Sequence, residues 1–194
     1  MSASQDIASS DQHATRVPPN RLSATIGLVL LLCLPAALIV RVYHATNPRL
    51  LSPGDSVPAL TIKDLASNRT DQFSFKGTLT ALLFFSTDCP HCQREIASFD
   101  NLSKRFGKKI FFLAVSISGK AKTAEFINSN RVGVRILLDE EKTGQEQLGV
   151  DIVPALFLIG TDGTIAYSGS GEKTLAARAQ QLSEFVSAVG MSQR

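Results

Sequence analysis

The sequence predicts an α/β domain in which helices flank a mixed β-sheet, preceded by one N-terminal transmembrane helix. Three observations carry this. Four short apolar runs recur from residue 80 onward, a helical apolar period follows the first of them, and a nineteen-residue stretch near the start has no charge. The four runs are "TALLFFS" (Thr80–Ser86), "IFFLAVSI" (Ile110–Ile117), "RILLD" (Arg135–Asp139) and "ALFLIG" (Ala155–Gly160). Continuous apolar character, rather than strict alternation, is what strands need when both faces of a sheet are covered.

Taken in order, residues 1–21 are rich in Ser, Ala, Gln and Asp and end near "PPN". With little to bury, they are predicted to be disordered. Leu22–Val40, "LSATIGLVLLLCLPAALIV", is long enough to cross a hydrocarbon core of about 30 Å as a helix, with Arg21 and Arg41 at its ends. It exceeds a usual signal core, and no small-x-small cleavage site follows, so an uncleaved anchor is expected. Residues 41–54 form a linker ending in "LSPGD", and the folded domain spans 55–190. A short polar segment before the span and a large domain after it predict a cytoplasmic N-terminus. The domain is then exported, as in a single-pass protein of the bacterial inner membrane facing the periplasm.

Within the domain, "PALTIKD" and "QFSFKG" are the weaker strand candidates. Cys92, Ile96, Phe99, Leu102 and Phe106 mark one helical face. Pro90 suits the first helical position, and Gly107 suits the stop. "KTAEFINSN" fits a short helix. "TDGT" (Thr161–Thr164) offers Asp-Gly for a tight hairpin into "TIAYSG". A last helix is predicted through Leu175, Ala179, Leu182, Phe185/Val186 and Val189. "DEEK" (Asp139–Lys142) reads as a solvated loop.

Charge narrows the function. Residues 1–50 carry four basic and two acidic side chains, and the remainder sixteen and fifteen, so the folded domain is almost neutral. That leaves no electrostatic footprint for nucleic acid.

Chemistry concentrates at "STDCPHCQRE", residues 86–95. Structural zinc needs four ligands, but the third cysteine, Cys33, lies in the apolar span and His13 and His44 lie outside the domain. No metal and no cofactor is expected. Haem attachment needs His directly after the second cysteine, where Gln93 stands. A purely structural disulfide stays open, although so short a loop restrains the unfolded chain least. A redox pair has positive support. Cys89 sits where a buried strand gives way to a helix N-terminus, and unpaired N–H groups there favour its thiolate. Cys92 lies one turn on, within reach to resolve a mixed disulfide at Cys89. A protonated His91 would add positive charge beside the thiolate, whereas Asp88 would raise its pKa. A strand–C-x-x-C–helix junction in an α/β setting points to a thioredoxin-like site.

"LLFFSTDCPHCQREI" together with "GVDIVPALFLIGTDGTI" resembles the thioredoxin-like fold, and within it the membrane-anchored TlpA-like thiol–disulfide oxidoreductases. The resemblance covers roughly Ser52 to Val189. It implies Cys89 as attacking and Cys92 as resolving cysteine, and Pro154 as a cis-proline facing them. The backbone of Val153 would then pair with extended substrate. It further implies Glu95 as an acidic group able to accept or relay the Cys92 proton; a solvated helix carboxylate is the alternative. Three departures stand out. Asp88 replaces the usual aromatic residue, Leu83 occupies the place of thioredoxin's buried aspartate, and the Pro90–His91 dipeptide is shared with the oxidant DsbA rather than with typical reductive relatives.

The expected activity is therefore thiol–disulfide exchange with exported proteins, for cytochrome c maturation or periplasmic thiol homeostasis. Protein thiols and disulfides are the substrates, and a membrane-bound or soluble redox partner restores the pair. Two alternatives are weighed. A peroxiredoxin-type peroxidase would need Pro-x-x-x-Thr-x-x-Cys, but Leu82 and Ser86 stand in the Pro and Thr places. A non-catalytic thioredoxin-like binding module has no need of the Cys89, Cys92 and Pro154 trio.

Overall fold

The structure, a computed structural model, describes Pro35 and residues 49–192. The tail, the span apart from Pro35, and the linker up to residue 48 lie outside the described residues, so the predicted anchor does too. Among the described residues no helix is long and apolar enough to cross a membrane. The chain divides into two units, Met1–Asn47 and Pro48–Arg194, and every element below belongs to the second.

Among the described residues, seven strands and four helices follow one another. They are β1 (Leu60–Asp64), β2 (Thr70–Phe73), β3 (Thr80–Phe85), α1 (Pro90–Phe106), β4 (Phe111–Ser116), α2 (Lys120–Asn130), β5 (Arg135–Leu138), α3 (Thr143–Leu148), β6 (Ala155–Ile159), β7 (Ile165–Ser170) and α4 (Leu175–Ser192). The strands form one sheet in the order β2-β1-β5-β4-β3-β6-β7. β3, β4 and β5 are parallel, which requires the crossover helices α1 and α2 between them. β6 runs antiparallel to β3 with Phe84 opposite Ala155, and the hairpin returns β7 along β6.

Every residue of β3 and β6 is buried, the signature of central strands covered on both sides. Alternate side chains feed two cores. Ala81, Leu83 and Phe85 meet Ile96, Phe99 and Leu102 of α1 and Leu182 and Phe185 of α4. Leu82 and Phe84 meet Leu113, Val115, Phe157 and Leu148 on the other face. Burying each large α1 side chain contributes roughly 1.5–3 kcal/mol, and this holds the helix, and with it the cysteine pair at its start, against the sheet.

Three local expectations are corrected. The "QFSFKG" strand ends at Phe73: the chain leaves the ladder, buries Phe75 in the second core and turns at Gly77, φ +86°. Asp139 is not solvated. It is buried, and its carboxylate accepts the N–H groups of Gly144 (2.9 Å) and Gln145 (2.8 Å) at the start of α3. Leu175 is 46% exposed, while Arg178, one turn on, is only 2% exposed. The first turn of α4 packs through an ion pair instead of an apolar contact.

Candidate active site

The end of β3, the start of α1 and the start of β6 meet at one end of the sheet. This follows from register, because the antiparallel β3–β6 pairing sets the residues after Phe85 beside those before Ala155. Cys89 is the N-cap of α1, with extended backbone (φ −96°, ψ 114°), and Pro90 begins the helix. The Cys89 sulfur accepts the Cys92 N–H at 3.4 Å, standing where a Ser or Asp oxygen would cap an ordinary helix. Both cysteines are free thiols. Cys92 is fully buried and Cys89 is half-buried.

Their surroundings push the two thiols apart. Partial burial works to raise the Cys89 pKa. Hydrogen bonds from the Cys92 thiol and from the Cys92 and His91 N–H groups, with the charge of Arg94, outweigh it and leave Cys89 below the ordinary thiol value. Burial first, then the Cys89 sulfur and the Glu95 charge, push Cys92 up to about 12. One sulfur is thus disposed to be the anion and the other to stay protonated.

The neighbouring side chains fall differently from the sequence reading. The Asp88 carboxylate turns to α2, where Lys122 Nζ binds it at 2.8 Å, and the surroundings that set the Cys89 pKa come from the helix start. The His91 ring faces the loop after β7: Nδ1 lies 2.9 Å from Glu172 Oε2. His91 serves Cys89 through its backbone N–H. Glu95 is 1% exposed, which removes the solvated-carboxylate alternative. Its oxygens accept Arg178 Nε at 2.6 Å and the Lys173 N–H at 3.0 Å. Arg178 also donates to Gln181 Oε1 and to the Gly171 carbonyl.

The Val153–Pro154 peptide bond is cis. The Pro154 carbonyl accepts the Gly171 N–H at 2.7 Å, tying this turn to the end of β7. An open groove of about 550 Å³ lies here, lined by Ile152, Val153, Pro154, His91, Glu172 and Lys173. Ile152 is 65% exposed on its wall. Sequence reasoning brought Cys89, Pro90, His91, Cys92, Glu95, Val153 and Pro154 to attention, and the fold gathers them at this end. It missed Arg94, Glu172 and Arg178. The last two are some eighty residues from their partners, with no local pattern to mark them.

Residues 53–168 match the AhpC/TSA family over more than half the chain. The chain belongs to the AhpC/TSA family. Among curated members similar to this AhpC/TSA protein is the thiol-disulfide oxidoreductase ResA of Bacillus thuringiensis subsp. konkukian (strain 97-27). It is 23% identical over 86% of this chain and 95% of its own length. Among solved structures, a candidate thiol:disulfide interchange protein DsbE from Chlorobium tepidum superposes with TM-score 0.64 at 18% identity, covering 72% of this chain and 98% of that one. Peroxidoxin BcpB from Mycobacterium tuberculosis gives 0.62 at 22% identity, covering 72% and 98%. At such identities the structures establish the shared thioredoxin-like fold. Glu172 and Arg178 lie beyond the segment that matches the family.

Proposed function

We propose that this AhpC/TSA protein is a thiol–disulfide oxidoreductase with Cys89 as nucleophile and Cys92 as resolving cysteine. One observation carries the reading: half-buried Cys89 caps α1 with its sulfur at the same end of the sheet as the Pro154 groove, which His91 of the same loop lines, while Cys92 is fully buried. In the reductive direction the Cys89 thiolate attacks one sulfur of a substrate disulfide. A Cys89–substrate disulfide forms and the other substrate sulfur leaves as a thiolate. Cys92 then loses its proton and attacks the Cys89 sulfur. The Cys89–Cys92 bond forms, and the second substrate thiol is released. Two electrons pass to the substrate. The oxidative direction reverses the same two exchanges, and the potential of the partner sets which one runs.

Glu95 stands one helical turn after Cys92, and its charge is felt there. That spacing and the burial of both side chains support it as acceptor for the Cys92 proton during resolution. Val153 offers its backbone to an extended substrate segment, and Ile152 and Pro154 give that segment an apolar floor. The uncharged Leu22–Val40 stretch supports a single-pass anchor holding the domain on the periplasmic side of a bacterial inner membrane. Substrates there are exported proteins, including those that need free thiols for cytochrome c maturation.

Replacing Cys92 by Ala and trapping adducts in cells tests the assignment. Cys92→Ala is expected to accumulate mixed disulfides through Cys89, and Cys89→Ala to abolish exchange. Equal residual turnover in the two variants would overturn these roles. A peroxide-consumption assay on the unaltered protein addresses the peroxidase alternative raised by the fold shared with a peroxidoxin, and no catalysed consumption is expected.

A further inference from the structure

The loop between β7 and α4 closes one side of the site through a charged network. Glu172 Oε1 accepts Arg94 Nε at 2.7 Å, and Glu172 Oε2 accepts Arg94 Nη2 at 2.7 Å, a bidentate fork. The same Oε2 lies 2.9 Å from His91 Nδ1. Glu172 can only accept from Nδ1, and Arg94 Nη2, 3.0 Å from the same nitrogen, can only donate to it, so Nδ1 is held between the two whichever tautomer the ring adopts. The next residue, Lys173, donates its N–H to Glu95 from α1. Helix and loop are therefore clasped reciprocally, each supplying a carboxylate to the other. The loop is held behind as well, by Gly171 N–H to Pro154 and by Arg178 to the Gly171 carbonyl.

We propose that Glu172 is a positioning residue that holds the His91 ring away from the Cys89 sulfur and engages Arg94, and so keeps the Cys89–Cys92 pair less oxidising than its Pro-His dipeptide alone would make it. The inference rests on the thiol–disulfide reading above. The His91 ring is the one side chain inside the C-x-x-C loop able to donate to a thiolate at Cys89, and its Nδ1 edge is already engaged by Glu172 and Arg94. Arg94 is the cation whose charge reaches Cys89, and two of its donors are likewise committed. The other charged groups around the site are satisfied elsewhere. Asp88 binds Lys122, Glu95 binds Arg178, and Lys173 Nζ lies 5.1 Å from the centre of the Tyr167 ring.

The chemistry gives the sign. Reduction of the Cys89–Cys92 disulfide by two glutathione thiols places two electrons on the pair and forms one glutathione disulfide. Whatever further stabilises the Cys89 thiolate stabilises the reduced product, and so raises the equilibrium constant toward it. Releasing His91 and Arg94 from Glu172 does this.

The experiment uses the full chain with Glu172→Gln, His91→Ala and the double variant. It follows thiolate absorbance against pH and the equilibrium with glutathione. Glu172→Gln is expected to move the Cys89 titration to lower pH and the glutathione equilibrium at least about twofold toward the dithiol, where tenfold is about 30 mV for two electrons. His91→Ala alone is expected to change either readout by less than about twofold, yet to reverse most of the gain in the Glu172→Gln background. An unmoved or upward titration in Glu172→Gln overturns the proposal. So does a gain that survives His91→Ala undiminished, since bare charge removal would then suffice. Absence of any equilibrium with glutathione in the unaltered protein would instead sink the thiol–disulfide reading itself.

Discussion

Cys89 and Cys92 differ by three positions and by almost everything else that sets a thiol's chemistry. Cys89 receives N–H groups at a helix start, and Cys92 lies in the core. The thiolate is the reactive form, so a lowered pKa shifts half-maximal alkylation to lower pH, and a raised one shifts it upward. Iodoacetamide rates measured across pH are expected to rise for Cys89 below the ordinary thiol range, while Cys92, at about 12, stays unlabelled in the folded protein at neutral pH. Glu95 and Arg178 present a second contrast, being two charges 1% and 3% exposed that satisfy one another at 2.6 Å. Arg178→Met strands the Glu95 carboxylate and is expected to destabilise the fold by about 3–5 kcal/mol in chemical denaturation. Glu95→Leu with Arg178→Met should recover most of that, because an apolar pair has no desolvation penalty to offset.

Among the elements, α1 was legible because a four-three spacing of large apolar residues is a helix's own periodicity, and because Pro90 and Gly107 bracket it. α3 is six residues long, too short for a period to register. Its start depends on Asp139, from the end of β5, accepting two N–H groups that would otherwise be buried and unpaired. Asp139→Ala is expected to cost about 2–3 kcal/mol, and Asp139→Asn less, since the amide oxygen still accepts one bond; urea midpoints distinguish them. The same helix ends at Gly149, φ +66°, where a Cβ would strike the backbone carbonyl of Arg49. The approach of Gly149 to Arg49 joins segments far apart in sequence, so no local pattern announces it.

For the whole molecule, the sheet decides which apolar residues matter. Phe111 and Leu113 belong to one strand and point to the same side by parity. Phe111 is nevertheless 41% exposed at the strand's end, and Leu113 is 1% exposed in the second core. Leu113→Ala is expected to lower stability by about 2–5 kcal/mol through lost burial and a residual cavity, and Phe111→Ala by much less; thermal or denaturant unfolding of the two variants checks this.

The sequence by itself determined the strand–helix alternation, the covered central strands and the cysteine pair at a helix start. Those depend on periodicity, on continuous apolar runs and on residues within one or two turns of each other. Tertiary structure alone decided which charges meet. It put Glu172 on His91 and Arg94, Arg178 on Glu95, and Lys122 on Asp88. The reason is physical. Side-chain pairing across the fold is set by sheet register and by the loops that carry distant segments back, and a carboxylate's sequence neighbours carry no trace of the cation it will meet.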